Sequence, residues 1–180
     1  MPLLNSVTTP YAEALLQVVS ENDQTEIMVK EVKQLLSLIN DSPDLEKTLS
    51  SPVLETDTKK KIIIEIFSEK INSSLLNFLK LLADRQRIGI VTSILDRFLE
   101  IYRENSNIAL ATVTSAVELT DDQKGLITKK IINIAGTEKL ELVTKIDPSL
   151  IGGFVASVGS KVIDASLASQ IRKLGLSLSK

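Results

Sequence analysis

The stretch that decides the fold is Asp147–Leu174, DPSLIGGFVASVGSKVIDASLASQIRKL. Asp147-Pro148 ends the strand before it, because proline offers no amide donor and pushes its predecessor out of the helical region. Gly152-Gly153 admits backbone conformations closed to residues with a Cβ. Phe154, Ala156 and Val158 alternate with Val155 and Ser157, the period of a strand. Gly159-Ser160 fits the two-residue turn of a tight hairpin, and Val162 and Ile163 begin the return strand. Ser166 stands where an N-cap belongs, ahead of Leu167, Ile171, Leu174 and Leu178 at helical spacing. The segment reads as an entry turn, a hairpin and a capped amphipathic helix. Nothing in it looks like a nucleophile held beside a base.

Upstream, Leu140, Leu142, Thr144 and Ile146 alternate with Glu141, Val143, Lys145 and Asp147, which predicts a half-buried strand. Thr120 with Gln123 reads as a capping box, and Asp121 and Asp122 suit the positive end of a helix. That helix carries Ile127, Ile131 and Ile134 and stops near Gly136. Ile108–Val117 is rich in Val, Thr and Ala and has no helical stripe, so it is expected as a strand. Strand, helix, strand, hairpin and helix together predict a small α/β domain over 107–180.

Residues 1–106 read as helices instead. Thr9-Pro10 is expected as an N-cap and first-position proline, opening a helix through Ala14, Leu15, Val18 and Val19. Met28, Val32, Leu35, Leu36 and Ile39 form a second stripe at spacings of three and four. Ser42-Pro43 starts a short helix with Leu45 and Leu49, and Thr56-Asp57 opens one through Ile63, Ile66 and Phe67. Asn72-Ser73-Ser74 breaks the chain before Leu75, Phe78, Leu79 and Leu82, and a last helix runs through Val91, Ile94, Leu95, Phe98, Ile101 and Tyr102. Short connections favour antiparallel neighbours, so the expectation is a six-helix bundle. The predicted class is α+β, mostly α: an N-terminal six-helix bundle, then a small α/β domain ending in an amphipathic helix.

Composition narrows the chemistry. With no histidine and no cysteine, every Cys/His zinc site, cysteine nucleophile and Ser-His-Asp triad is excluded. A formal charge of −2 gives no basic field for a nucleic-acid backbone, and 3% aromatics give no row of stacking platforms. No apolar run approaches the roughly 20 residues that cross a bilayer. MPLLNSVTTP lacks the basic start and apolar stretch of a leader, so the chain is expected to be made where it works, and to meet a membrane only through partners. No catalytic residue, cofactor or metal is expected.

Each candidate site has a plain structural reading beside it. Gly153–Lys161, GFVASVGSK, has five residues between its glycines, and its serine precedes the lysine; a phosphate loop needs four and then Gly-Lys-Ser/Thr. Lys59-Lys60-Lys61 reads as a solvated face, with docking to an acidic partner as the other possibility. Asp121-Asp122 and Asp84/Arg85 are too sparse for a calcium loop and suit helix ends better than acid/base chemistry. Tyr11, Ala14, Leu15 and Val18 share one helix face, which is either a core stripe or a seat for a partner helix beside the small Ala14.

The Asp147–Leu174 segment closely resembles the C-terminal signature of the delta subunit of F-type ATP synthases, the family that includes the mitochondrial oligomycin-sensitivity-conferring protein. Pro10-Tyr11-Ala12-Glu13-Ala14-Leu15 looks like that family's first-helix motif, and Asn77–Arg87, NFLKLLADRQR, is similar to its fifth-helix motif. The three fall in the family's order and spacing and span the chain. The resemblance implies a non-catalytic peripheral-stalk subunit, one copy per complex, that links the catalytic alpha/beta head to the b-type stalk subunits against rotor torque. It implies that the first and fifth helices receive alpha-subunit N-termini, at Tyr11, Ala14, Leu15, Val18, Phe78, Leu79 and Ala83. It implies that the C-terminal domain holds the b subunits, with Gly152, Gly153, Gly159, Asp164, Ser166, Leu167, Ile171 and Leu174 as contacts or as structure. Gln86 departs from the basic residue that many relatives carry. The Pro-Tyr-Ala-Glu-Ala-Leu form looks cyanobacterial or plastid, which implies a thylakoid setting. A helical adaptor unrelated to rotary ATPases would share the periodicities but not three ordered motifs.

Overall fold

The computed structural model describes the backbone of residues 2–137 and 139–178, with side chains over 5–134, 136–137 and 139–172. The chain divides into two compact units, Met1–Tyr102 and Arg103–Lys180. The described residues are mostly helical, with one four-stranded sheet, an α+β architecture.

The first unit is built from α1 (Pro2–Glu21), α2 (Thr25–Asn40), α3 (Pro43–Ser50), α4 (Thr56–Phe67), α5 (Ser73–Asp84) and most of α6 (Val91–Asn105), the last preceded by a 3-10 turn at Ile88–Ile90. Apolar spacing explains these helices. Met28, Val32, Leu35, Leu36 and Ile39 of α2 meet Ala12, Leu15, Leu16 and Val19 of α1, and Leu75, Leu79 and Leu82 of α5, in one buried cluster that also takes Phe67 and Phe98. The break at Asn72 is a true cap: its carboxamide oxygen accepts the Ser74 amide at 2.9 Å. The Asn72 amide donates to Glu31 of α2 at 3.0 Å, which ties the start of α5 to its neighbour. After α6, Asn107 takes the left-handed region, φ 52°, a conformation asparagine tolerates well.

The expected start at Thr9-Pro10 is corrected. The first helix begins at Pro2 and Pro10 lies inside it. Proline keeps a helical φ but withholds its donor and crowds the carbonyl one turn earlier. Buried Thr8 lies on the face that carries Ala12 and Leu15, so packing of the preceding turn offsets the missing bond. Thr9 does not cap; its hydroxyl accepts from the Arg97 guanidinium of α6 at 3.3 Å.

In the second unit, β1 (Ile108–Ser115), α7 (Asp121–Ala135) and β2 (Lys139–Ile146) form a parallel β-α-β unit, followed by the antiparallel strands β3 (Phe154–Val158) and β4 (Lys161–Asp164) and by α8 (Leu167–Leu178). The sheet order is β2-β1-β3-β4. Both halves of the Thr120/Gln123 capping box are present, and Gly136 closes α7 at φ 70°. Val158 pairs with Lys161, so Gly159-Ser160 is the whole turn. Gly159 takes φ 55°, as the first position of a type II′ turn requires. Ala111, Val113 and Ala156 of the sheet pack on Ile127 and Ile131 of α7 as a small buried core.

Several expected core positions in this unit are exposed. Ile134 lies off the buried face of α7, and Ile146 ends an edge strand with no neighbour beyond β2 to cover it. Val162, expected only to begin the return strand, lies in β4 and is also exposed. The side chains of Leu174 and Leu178 lie outside the described residues.

Candidate functional site

The sequence singles out two sets of residues, one in each unit, and the structure sorts each set into support and surface. On α1, Ala14 and Val18 face solvent, with Val18 49% exposed, while Leu15 is buried and Tyr11 packs partly on the core. The single shared face is therefore corrected. Leu15 lies just past Ala14 around the helix and turns inward, so it holds the surface up and does not form it. On α5, Phe78, Leu79 and Ala83 are all buried in the core cluster, so their side chains offer a partner almost nothing. The outward apolar residue there is Leu81, 44% exposed, which sequence reasoning missed. Its signal was present, because Leu81 is a large apolar residue off the Leu75/Phe78/Leu82 stripe.

In the second unit the signature residues form a knot. Asp164 accepts from both the amide and the hydroxyl of Ser166, at 2.9 and 2.7 Å. The Ser166 hydroxyl oxygen in turn accepts the Ser169 amide at 3.2 Å, capping α8. Leu167 donates its amide to the Gly152 carbonyl at 3.0 Å, and Ala165 to Phe154 at 2.9 Å. Gly153 sits under this junction with φ 78°; a Cβ there would meet the Ala165 carbonyl oxygen at 2.3 Å. Gly152, Gly153, Gly159, Asp164 and Ser166 thus build the hairpin and lock α8 to it. Leu167 and Ile171 of α8 remain exposed on the outside of that junction.

The polar candidates resolve into structure. Lys161, the lysine of the mistaken phosphate loop, donates to the Ile134 carbonyl in the last turn of α7 at 3.0 Å. Of the lysine run, Lys59 donates to the Leu49 carbonyl at 2.8 Å and Lys60 pairs with Asp84, leaving Lys61 outward. Asp121 meets Lys124 at 3.3 Å on the surface of α7. The Asp147 carboxyl is held below its ordinary range by hydrogen bonds from the hydroxyl and the amide of Ser149, which stabilises the turn at neutral pH, a contribution lost as pH falls below that range. Among the described residues, no group of three metal-ligating side chains gathers and no helix is long and apolar enough to cross a membrane.

Comparison with known proteins bears on the family and the fold. The family model for the ATP synthase delta (OSCP) subunit matches residues 7–178. The chain is 99% identical over 180 residues, all of both chains, to an ATP synthase subunit delta of Prochlorococcus marinus subsp. pastoris. It is 56% identical to that of another Prochlorococcus marinus strain, covering all of this chain and 98% of the relative. Among solved structures, a chain of the Toxoplasma gondii mitochondrial ATP synthase hexamer shares the fold at TM-score 0.71 and 18% identity, with 96% of this chain and 97% of that one covered.

Proposed function

We propose, for a chain that belongs to the ATP synthase delta (OSCP) subunit family, a division of work between its two units. Membership makes the chain a non-catalytic part of the peripheral stalk of an F-type ATP synthase, and removes the unrelated-adaptor reading. The six helices act as one bundle on the crown of the catalytic head, where α1 and α5 take the N-terminal segments of alpha subunits. Ala14, Val18 and Leu81 are the contacts, over Tyr11, Leu15, Phe78, Leu79 and Ala83 as the rigid bed. Residues 107–180 take the b-type stalk subunits. A single copy bridges head and stalk, reaching the membrane only through its partners, on the cytoplasmic or stromal face of a thylakoid. The Pro10–Leu15 motif and the Prochlorococcus relatives support that setting.

The observation that carries this reading is the chemistry of the two surfaces. Among the described residues, both present apolar side chains from helices, and no group of three metal-ligating side chains gathers at either. A link that resists torque needs dry, well-packed contacts, which complementary apolar faces supply. Affinity capture from solubilised membranes tests it. The full chain should bring down alpha, beta and b subunits, and a fragment of residues 1–106 should keep alpha and beta and lose b. A fragment that keeps b and loses the head would reverse the assignment.

A further inference from the structure

β2 closes one side of the sheet, and among the described residues no strand lies beyond it. Leu140 and Leu142 pack against the small core, and Lys139, Glu141, Val143, Lys145 and Asp147 alternate with that face. The second half of the strand is open to water, with Val143 38% and Ile146 59% exposed. Its backbone is open as well. Asp147 donates its amide to the Ser115 carbonyl of β1 at 2.8 Å. By the alternation of a strand, Leu140, Leu142, Thr144 and Ile146 therefore point their N–H and C=O groups away from β1. An uncovered row of donors and acceptors is a template for another strand.

Charge decides which strand fits. Edge strands commonly carry charges that repel an added strand, and β2 repels all but one arrangement of its own copy. Two antiparallel copies must set outward residues against outward residues, so their pairing centres on a residue and not between two. Centred on Leu142, Lys139 meets the partner's Lys145; centred on Thr144, Glu141 meets the partner's Asp147. Centred on Glu141 or on Lys145, that charge meets itself. Centred on Val143, Glu141 meets the partner's Lys145 and Lys139 meets the partner's Asp147, each twice by symmetry. These fall at the positions without hydrogen bonds between them, where opposed side chains approach most closely. Val143 then meets its copy, and exposed Ile146 meets the partner's Leu140. We propose that β2 is the pairing edge for a second copy of this chain, antiparallel and centred on Val143. Glu141 already meets Arg103 at 3.5 Å, and its side chain, 23% exposed, stays within reach of a second cation. One copy serves the complex in the reading above, so the pair is a state of the free chain, and its dissociation precedes assembly.

Sedimentation of the full chain tests this, at concentrations up to about 1 mM because a contact of one strand pair is small and weak. The wild type should show a monomer–dimer equilibrium with no larger species. Lys145→Glu sets like charges opposite each other twice and should weaken the dimer by roughly tenfold or more, with melting unchanged. Glu141→Lys should do the same. Mixing these two variants restores opposite charges at both positions, so the mixture should form a heterodimer that neither forms alone. Thr144→Pro removes an outward amide and no bond to β1, and should also leave the chain monomeric and folded. Lys129→Glu, the same charge change on α7, should dimerise as the wild type does. A wild-type chain that stays monomeric throughout would overturn the proposal and leave the stalk reading standing. So would a dimer that survives both Lys145→Glu and Thr144→Pro, or one lost equally in Lys129→Glu. Two variants that stay monomeric when mixed would overturn the pairing centred on Val143. A monomeric wild type whose capture of b subunits is lost in Thr144→Pro would assign the edge to another protein, and overturn it too.

Discussion

Gly153→Ala is expected to lower the melting temperature of the C-terminal unit by roughly 15 °C, from a loss of about 3 kcal/mol. Two causes act together. At φ 78° any Cβ is strained, and here it would stand 2.3 Å from the Ala165 carbonyl oxygen and 3.0 Å from the Ser166 Cα. Both neighbours are backbone, so no rotamer change relieves the clash. The hairpin must part from the start of α8, and the Asp164–Ser166 cap goes with it. Other glycines supply the controls. Gly159, at φ 55° with nothing within 4 Å of a Cβ, should lose only about 1 kcal/mol on change to alanine. Gly125, within α7 and also open, should gain up to about 1 kcal/mol. Calorimetric melting of the three variants checks the order. A Gly153→Ala protein that melts with Gly159→Ala would mean that the junction yields without cost.

Ala14→Asp should leave the first unit folded and weaken its attachment to the catalytic head by roughly a hundredfold or more, the effect of about 3–5 kcal/mol for a charge left unpaired in a dry contact. Ala14 is exposed, so the free chain should melt within a few tenths of a kcal/mol of wild type. Ala12→Asp is the contrast. Ala12 is fully buried, and a carboxylate there has no water and no room, so that variant should lose its fold and every function together. Melting curves run beside a head-binding assay separate the pair. Unchanged binding in a folded Ala14→Asp protein would move the head contact to another face.

What was legible in the sequence was local. The Asn72 break, the Thr120/Gln123 box, the Gly159-Ser160 turn and the Ser166 cap depend on neighbours a few residues away, and each pattern fixed its element. The α2 stripe was equally plain, because its whole inward face is apolar. Positions decided by distant neighbours were not. Ala12 and Ala14 have the same side chain, yet opposite exposure, because what packs beside α1 comes from other helices. Phe78, Leu79 and Ala83 look like a contact motif, but a motif reports that residues are constrained and not whether a core or a partner constrains them. Pro10 suggested a helix start because proline is favoured there, and packing of the earlier turn outweighed that preference. Ile146 alternates like a half-buried residue, and only the strand order reveals that it ends an edge strand.

Add-back to depleted membranes tests the central claim most directly. Thylakoid-type membranes stripped of this chain are energised with ATP, and proton uptake and phosphate release are measured before and after the purified chain is restored. A stator link without chemistry of its own predicts that the head hydrolyses ATP in both cases, and that proton pumping fails without the chain and returns with one copy per complex. Proton pumping at full rate in its absence would contradict the account.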